Sequence, residues 1–248
     1  MSEQGAITCK NCGEKFSGRY CPNCGQRSSV GRVTFKETFQ DLADSLFTVS
    51  APLWVTIKQL VVNPGQMMRD YLAGRRKTYY KPVSFFVLMT LIFLFIQFVI
   101  DYDPFVNQTI QVQESNESMM LNEARDYYLT NINNFLFAFV FTLALGLKLF
   151  FWKNYSLAEY IAVSFYLIGM YTLFVTLNMF YIQYINVNFQ YLGLLVMWAY
   201  FIYAMISFFK RRPFWVALKS LIVFPLAMMG YFIIGFSISF LIVSIKAS

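Results

Sequence analysis

Five stretches of this chain, 83–100, 135–151, 160–182, 191–209 and 220–245, are almost free of charge. Each approaches or exceeds the roughly twenty helical residues needed to cross a bilayer core of about 30 Å. Hydrocarbon offers no partner to a backbone N–H or C=O, so a crossing segment must satisfy its own, and segments of this length do so as helices. Composition agrees: of 248 residues 58% are hydrophobic, 20% aromatic and 13% charged, whereas soluble domains run near half apolar and about a quarter charged. The expected fold is an all-α integral membrane protein with about five transmembrane helices. The chain has no histidine, which removes every mechanism that needs an imidazole base, nucleophile or metal ligand.

Sidedness follows from the cations. With the N-terminus in the cytosol, the inner segments hold twelve Lys and Arg before the first span, then Lys148 and Lys153, then Lys210, Arg211, Arg212 and Lys219. The outer segments hold only Arg125 and Lys246. Eighteen against two is a strong positive-inside bias that alternates at every crossing. The N-terminus is expected in the cytosol and Ser248 outside. The net charge of +7 is thus assigned to orientation and anionic lipid headgroups, not to nucleic acid. No signal peptide is expected, because the first apolar run comes too late. The outer segment 101–134 is acidic, with room for a short helix near 119–128; its Asn107/Thr109 and Asn116/Ser118 sequons are short enough to arise by chance.

All four cysteines lie in Cys9-Lys-Asn-Cys12-Gly and Cys21-Pro-Asn-Cys24-Gly. Each C-x2-C turn brings two sulfurs to one ion, and two such knuckles supply four thiolates to a tetrahedral Zn2+. Gly13 and Gly25 allow the positive φ that closes each turn. Two disulfides would need an oxidising compartment. A redox pair would need a βαβ context for which 7–26 has no room. Cys9, Cys12, Cys21 and Cys24 are therefore expected to form a structural zinc ribbon. Ile7, Phe16 and Tyr20 would cover it, and Lys10, Lys15, Arg19 and Arg27 would offset the net −2 of the site. With all four positions filled, no water is activated.

Three parts follow: the ribbon (1–28), cytosolic amphipathic and interfacial helices (29–82), and the five-span domain (83–248). Thr34 to Glu37 is a capping box, followed by Phe35, Phe39, Leu42 and Leu46 at helical spacing among Glu37, Asp41 and Asp44. The run 52–62 is too short to span and suits an interfacial or re-entrant helix. Asn63-Pro64-Gly65 stops and restarts the chain, with Asn63 as N-cap, and a short helix carrying Met67, Met68, Tyr71 and Leu72 ends at Gly74. The basic and aromatic segment 75–82 reads as a stop-transfer flank, or else as an anion or lipid-headgroup site in which Arg75, Arg76, Lys77 and Lys81 converge.

The order of zinc ribbon, Thr-led helix, Asn-Pro-Gly65, Tyr71-x-x-Gly74-x-Arg76, Tyr79/Tyr80 and Pro82 ahead of several spans resembles a family of bacterial inner-membrane proteins of unknown function. The resemblance covers Cys9 to about Phe86. It implies zinc binding and a bacterial inner-membrane location, and no reaction. By this route alone Pro64, Gly65, Tyr71, Gly74, Tyr80 and Pro82 become candidate functional positions.

No catalytic residue is identified. The close carboxylates Asp101 and Asp103 lie on an outer loop, and an enzyme built on Asp70, Arg75 and Arg76 has no motif behind it. No ionisable residue sits deep in a span, where an ion-coupled transporter would carry one; Lys148 and Glu159 are near the cytosolic ends. Gln97, Thr142, Ser164, Thr172, Thr176 and Asn178 read as interhelical hydrogen bonds, and a transporter would require Asn178, Thr142 and Gln97 to converge on a cavity. Pro225 is expected to kink the last span, and Gly230, Gly235, Ser237 and Ser239 to offer surfaces for close helix contact. The expected function is a non-enzymatic, membrane-anchored interaction or scaffold protein whose ribbon docks a protein partner or a second copy. The alternative is a lipid-handling enzyme or transporter that uses 75–82 on headgroups or phosphate.

Overall fold

The computed structural model of the protein describes residues 6–34, 52–102, 119–185 and 192–247. Two short strands, β1 (Ile7–Thr8) and β2 (Lys15–Phe16), precede eight α-helices among these residues. These are α1 (Pro52–Val62), α2 (Pro64–Leu72), α3 (Pro82–Val99), α4 (Met119–Thr130), α5 (Leu136–Phe150), α6 (Leu157–Tyr184), α7 (Leu192–Phe209) and α8 (Pro213–Ala247), with a 3-10 turn (Ile132–Phe135) leading into α5. The Thr34 to Glu37 capping box and its helix, Asp103, both sequons and Tyr191 fall wholly or partly outside the described residues.

Among the described residues five helices are long and apolar enough to cross a membrane: α3, the 3-10 turn with α5, α6, α7 and α8. They coincide with the five runs read from hydropathy, but α6 and α8 begin earlier, at 28 and 35 residues. At 1.5 Å per residue these are about 42 and about 52 Å, longer than a bilayer core. The extra turns are started by polar signals that hydropathy ignores. In α6, Ser156 and Glu159 form a capping box, with Ser156 N donating to Glu159 Oε2 at 2.7 Å and Glu159 N donating to Ser156 Oγ at 3.2 Å. In α8, Pro213 occupies the first position, where its missing N–H costs nothing. Pro225 lies inside this one continuous helix.

The centre of the bundle is α6, whose residues 161–170 are all buried. It is held closely by α3: a Cβ on Gly169 would stand 2.7 Å from the Phe85 ring. Gly230 faces Thr142 of α5 and Gly235 faces the Tyr128 ring of α4, while Ser239 is buried and Ser237 is exposed. The small-residue surface of α8 therefore includes Gly230, Gly235 and Ser239 but not Ser237. The span threonines also depart from expectation. Thr142, Thr172 and Thr176 donate to Phe139, Gly169 and Thr172 carbonyls of their own helices, three or four residues back. A hydroxyl that reaches its own preceding turn has no donor left for a neighbouring helix.

At the ribbon end, the helix termini meet in an aromatic collar. Phe151 stacks on Phe209 at 4.2 Å and Tyr155 on Phe208 at 4.9 Å. Lysines cap the carbonyls left over there: Lys148 donates to Trp152 O and Tyr155 O, and Lys219 to Phe150 O.

Helices α1 and α2 are strapped across the last turns of α7. Asn63 caps α2 by accepting from Gln66 N, and Pro64 follows it. Tyr200 donates to Leu60 O at 3.0 Å and Tyr203 to Val62 O at 2.6 Å, satisfying end carbonyls of α1. Ser207 accepts from Gly65 N and donates to Asn63 Oδ1. Arg69 reaches back to the Ser207 and Phe208 carbonyls and caps α7. Trp54, Val61 and Val62 of α1 stay exposed, the apolar surface that suits a helix lying at a bilayer.

Candidate metal centre

The two cysteine turns are copies of one another. In each, the first cysteine donates its N–H to the carbonyl five residues on, Cys9 to Glu14 and Cys21 to Gln26, both at 2.8 Å. Its own carbonyl accepts from the glycine four residues on, Gly13 at 2.9 Å and Gly25 at 2.8 Å. The residue before each first cysteine pairs with the residue seven further along: Thr8 with Lys15, and Tyr20 with Arg27. Gly13 and Gly25 have φ of 82° and 68°, left-handed values that a glycine adopts without strain.

This repeated wiring brings the four sulfurs of Cys9, Cys12, Cys21 and Cys24 within 4.8 Å of one another. Cys9 to Cys24 and Cys12 to Cys21 are 3.6 Å each. A tetrahedron with metal–sulfur bonds of about 2.3 Å has edges of about 3.8 Å, so the four donors are spaced to hold one ion, and the cluster could bind a metal. Without a cation the set resists ionising together. The Cys12 backbone N–H helps to pull the Cys9 thiol down to about 6. At Cys12 the Glu14 backbone N–H also lowers the value, but burial and the adjacent sulfurs outweigh it and push the thiol up to about 12. A divalent ion among four thiolates relieves that repulsion.

Of the three side chains expected to cover the site, Phe16 alone does so, packed with Cys9 and Cys21. Ile7 and Tyr20 are 44% and 58% exposed. The site is covered instead by its own chain at 74–78. The Gln26 carboxamide is 3% exposed, and its Oε1 accepts from the backbone N–H of Arg76 at 3.2 Å and of Lys77 at 3.3 Å. Asn11 Oδ1 accepts from both Thr78 N and Thr78 Oγ1. Lys10 donates to Val30 O at 2.8 Å, and its stem lies over Gly74: a Cβ there would be 2.9 Å from Lys10 Cδ. One side chain from each knuckle thus holds the segment leading into α3.

Of the four cations of 75–82, Arg75 and Arg76 are engaged by partners within this chain. Arg75 pairs with Asp70 at 3.3 Å. Arg76 donates to Gly31 O at 2.7 Å and lies over the Tyr71 ring at 5.8 Å. Lys77 Cε lies 3.9 Å from where a Gly25 Cβ would stand, beside the second knuckle. Lys81 is the N-cap residue of α3.

The six motif positions form one connected layer under the ribbon. Pro64 starts α2. Gly65 lies against the α7 backbone at Ser207 and Phe208. Tyr71 packs edge-on to Tyr166 at 5.6 Å. Gly74, with φ of 111°, turns the chain out of α2. Tyr80 receives the Tyr166 hydroxyl on its carbonyl and gives its N–H to Thr56 Oγ1, and Pro82 opens α3. Sequence reasoning missed Asn11, Gln26, Arg69 and Thr56, which carry no spacing signal. Tyr200, Tyr203 and Ser207 share a helix face at i, i+3, i+7 and were legible in principle.

No curated protein and no solved structure matches the chain. The sequence model of one family, described as "Protein of unknown function (DUF3667)", matches residues 51–94, which contain α1, α2, all six motif positions and most of α3.

Proposed function

We propose that the protein is a non-enzymatic, membrane-anchored interaction protein of the bacterial inner membrane, in which a structural zinc ribbon on the cytosolic side presents its outer rim to a protein partner or a second copy. The observation that carries this reading is the asymmetry of the ribbon. Asn11, Gln26 and Lys10 are spent on holding Val30 and residues 76–78 of the chain itself. Tyr20 and Ile7 remain 58% and 44% exposed, with Lys15 and Arg19 also exposed. Exposed aromatic and arginine side chains are the usual anchors of protein interfaces. Zinc is favoured by four soft thiolate donors at tetrahedral spacing. The cytosolic side is favoured by the cation bias and by the need to keep those thiols reduced.

A photoreactive amino acid at position 20, in intact cells, should give one discrete adduct, and the same probe at position 145, exposed on the flank of α5 away from the ribbon, should give none. Adducts of equal yield from both positions, or none from positions 7, 15 and 20 in a folded, metal-loaded protein, would overturn the reading. Reporter fusions that place Met1 outside the cytosol would overturn its sidedness.

A further inference from the structure

The ribbon has little core of its own. Its two strands are two residues each, and among the described residues its buried apolar cluster holds only Cys9, Phe16 and Cys21, with Cys24 packed against it. Units below about 40 residues rarely fold on apolar burial alone, and a ribbon of four thiolates takes its folding energy from the ion they hold. The chain on either side is anchored by other means. On one side Val33 is buried in the main core with the helices of the bundle. On the other, Tyr80 gives its N–H to Thr56 Oγ1 at 2.8 Å and receives the Tyr166 hydroxyl on its carbonyl. None of these anchors uses a ribbon residue.

Between the anchors, 74–78 is held by side chains that the knuckles themselves position. The Gln26 carbonyl accepts the Cys21 N–H at 2.8 Å, a bond that closes the second knuckle, while its carboxamide oxygen accepts the amides of Arg76 and Lys77. Asn11 stands inside the Cys9 to Cys12 turn and accepts both donors of Thr78. Lys10, next to Cys9, lies over Gly74. Each of these contacts requires a closed knuckle, because the oxygen that faces 76–78 is carried by the turn that brings the sulfurs together. The segment itself lies between α2 and α3 and belongs to neither. When a knuckle opens, no helix or strand bond takes over its amides, and water does.

We propose that occupancy of the metal centre works a latch on the entry to α3, a reading that rests on the four cysteines holding an ion. With the thiolates gathered around a metal, Gln26 and Asn11 clamp residues 76–78. With the metal lost, the knuckles open and the clamp lets go, while Val33, Tyr80 and α3 stay seated. The state of the ribbon is thereby read out in the order of one segment, which carries Arg76 and Lys77 directly ahead of α3. The coupling is reciprocal by linkage: whatever factor the ion adds to docking, docking adds to the affinity for the ion.

The test is amide hydrogen exchange of the full-length protein in detergent micelles, loaded with Zn2+ and then stripped by a chelator, with the Zn2+ content of both samples measured by elemental analysis. Stripping should speed exchange at residues 76–78 at least about tenfold and change it less than about twofold at Tyr80, whose acceptor is Thr56. Thr78→Val removes one bond to Asn11 from outside the ribbon and should weaken retention of Zn2+ against the chelator about threefold. Unchanged exchange at 76–78 in a protein that has lost its Zn2+ would overturn the latch and leave the metal centre standing. Equal loosening at Tyr80 would overturn it too, since the ribbon would then melt as one unit with the layer beneath it. A protein that takes up no Zn2+ would bring down metal centre and latch together. The comparison of loaded and stripped wild-type protein decides the matter even where the variant fails to fold.

Discussion

Gly65 approaches Ser207 so closely that a Cβ on residue 65 would lie 2.1 Å from the Ser207 carbonyl carbon. The obstacle is backbone, which cannot rotate away as a side chain would. Helix α2 can sit on the end of α7 only because residue 65 has no side chain, and the contact is closed by the bond from Gly65 N to Ser207 Oγ at 3.2 Å. Gly65→Ala should separate the two helices and cost about 3 kcal/mol, the upper end for overpacking. Thermal unfolding in detergent will measure it; a loss no larger than that of an exposed Gly→Ala control would show that the contact relaxes.

The cysteine cluster should hold one metal ion per chain. Elemental analysis of the purified protein checks the stoichiometry, and Co2+ substitution should give the intense thiolate-to-metal absorption of a tetrahedral site. Cys9→Ser and Cys21→Ser, at the two buried ligands, should each abolish retention. Acidification should release the ion, since every ligand must be deprotonated to bind it.

Docking of the ribbon is predicted to depend on one buried carboxamide. Gln26→Leu removes the acceptor of two backbone amides and should cost about 1–3 kcal/mol for the groups left unpaired, with faster hydrogen exchange at Arg76 and Lys77. Gln26→Glu keeps the acceptor and should keep the protection. Unchanged exchange in Gln26→Leu would mean that the ribbon is held by other contacts.

Two tyrosines on one face of α7 make the same kind of bond in different surroundings. Tyr200 is 9% exposed and Tyr203 44% exposed. Removing the hydroxyl from Tyr200 strands the Leu60 carbonyl away from water, so Tyr200→Phe should cost about 1–3 kcal/mol. At Tyr203 water can replace the lost donor, and Tyr203→Phe should cost under about 1 kcal/mol. Melting temperatures of the two variants should fall in that order.

Alkaline pH should loosen the layer beneath the ribbon through Tyr79. Burial, and then the nearby Asp70 carboxylate, raise the Tyr79 phenol above its ordinary value of 10.0. The fold therefore favours the neutral phenol. Its contribution is fully present below pH about 10 and is lost as pH climbs through the raised value. Tyr79→Phe should flatten the stability profile above pH about 10, and an unchanged profile would assign the alkaline loss to other groups.

What the sequence determined by itself was local or periodic. Apolar runs fixed the five crossings, since length and hydropathy suffice to say what can lie in hydrocarbon. The doubled Cys-x-x-Cys-Gly brought the four sulfurs to one place, because each knuckle closes within six residues. Asn63-Pro64 fixed the start of α2 for the same reason. Even the early start of α6 was written in Ser156 and Glu159, in a signal that polarity carries and hydropathy does not. The tertiary structure alone decided which polar groups meet across long separations. Gln26 finds the amide of Arg76 50 residues away, and Ser207 finds Asn63 across 144. Carboxamides and hydroxyls bond to any exposed backbone group, so their identity names no partner until packing presents one. The same holds for Gln97 and Asn178, two polar residues in separate helices that line one cavity, without Thr142, only because α3 and α6 pack side by side.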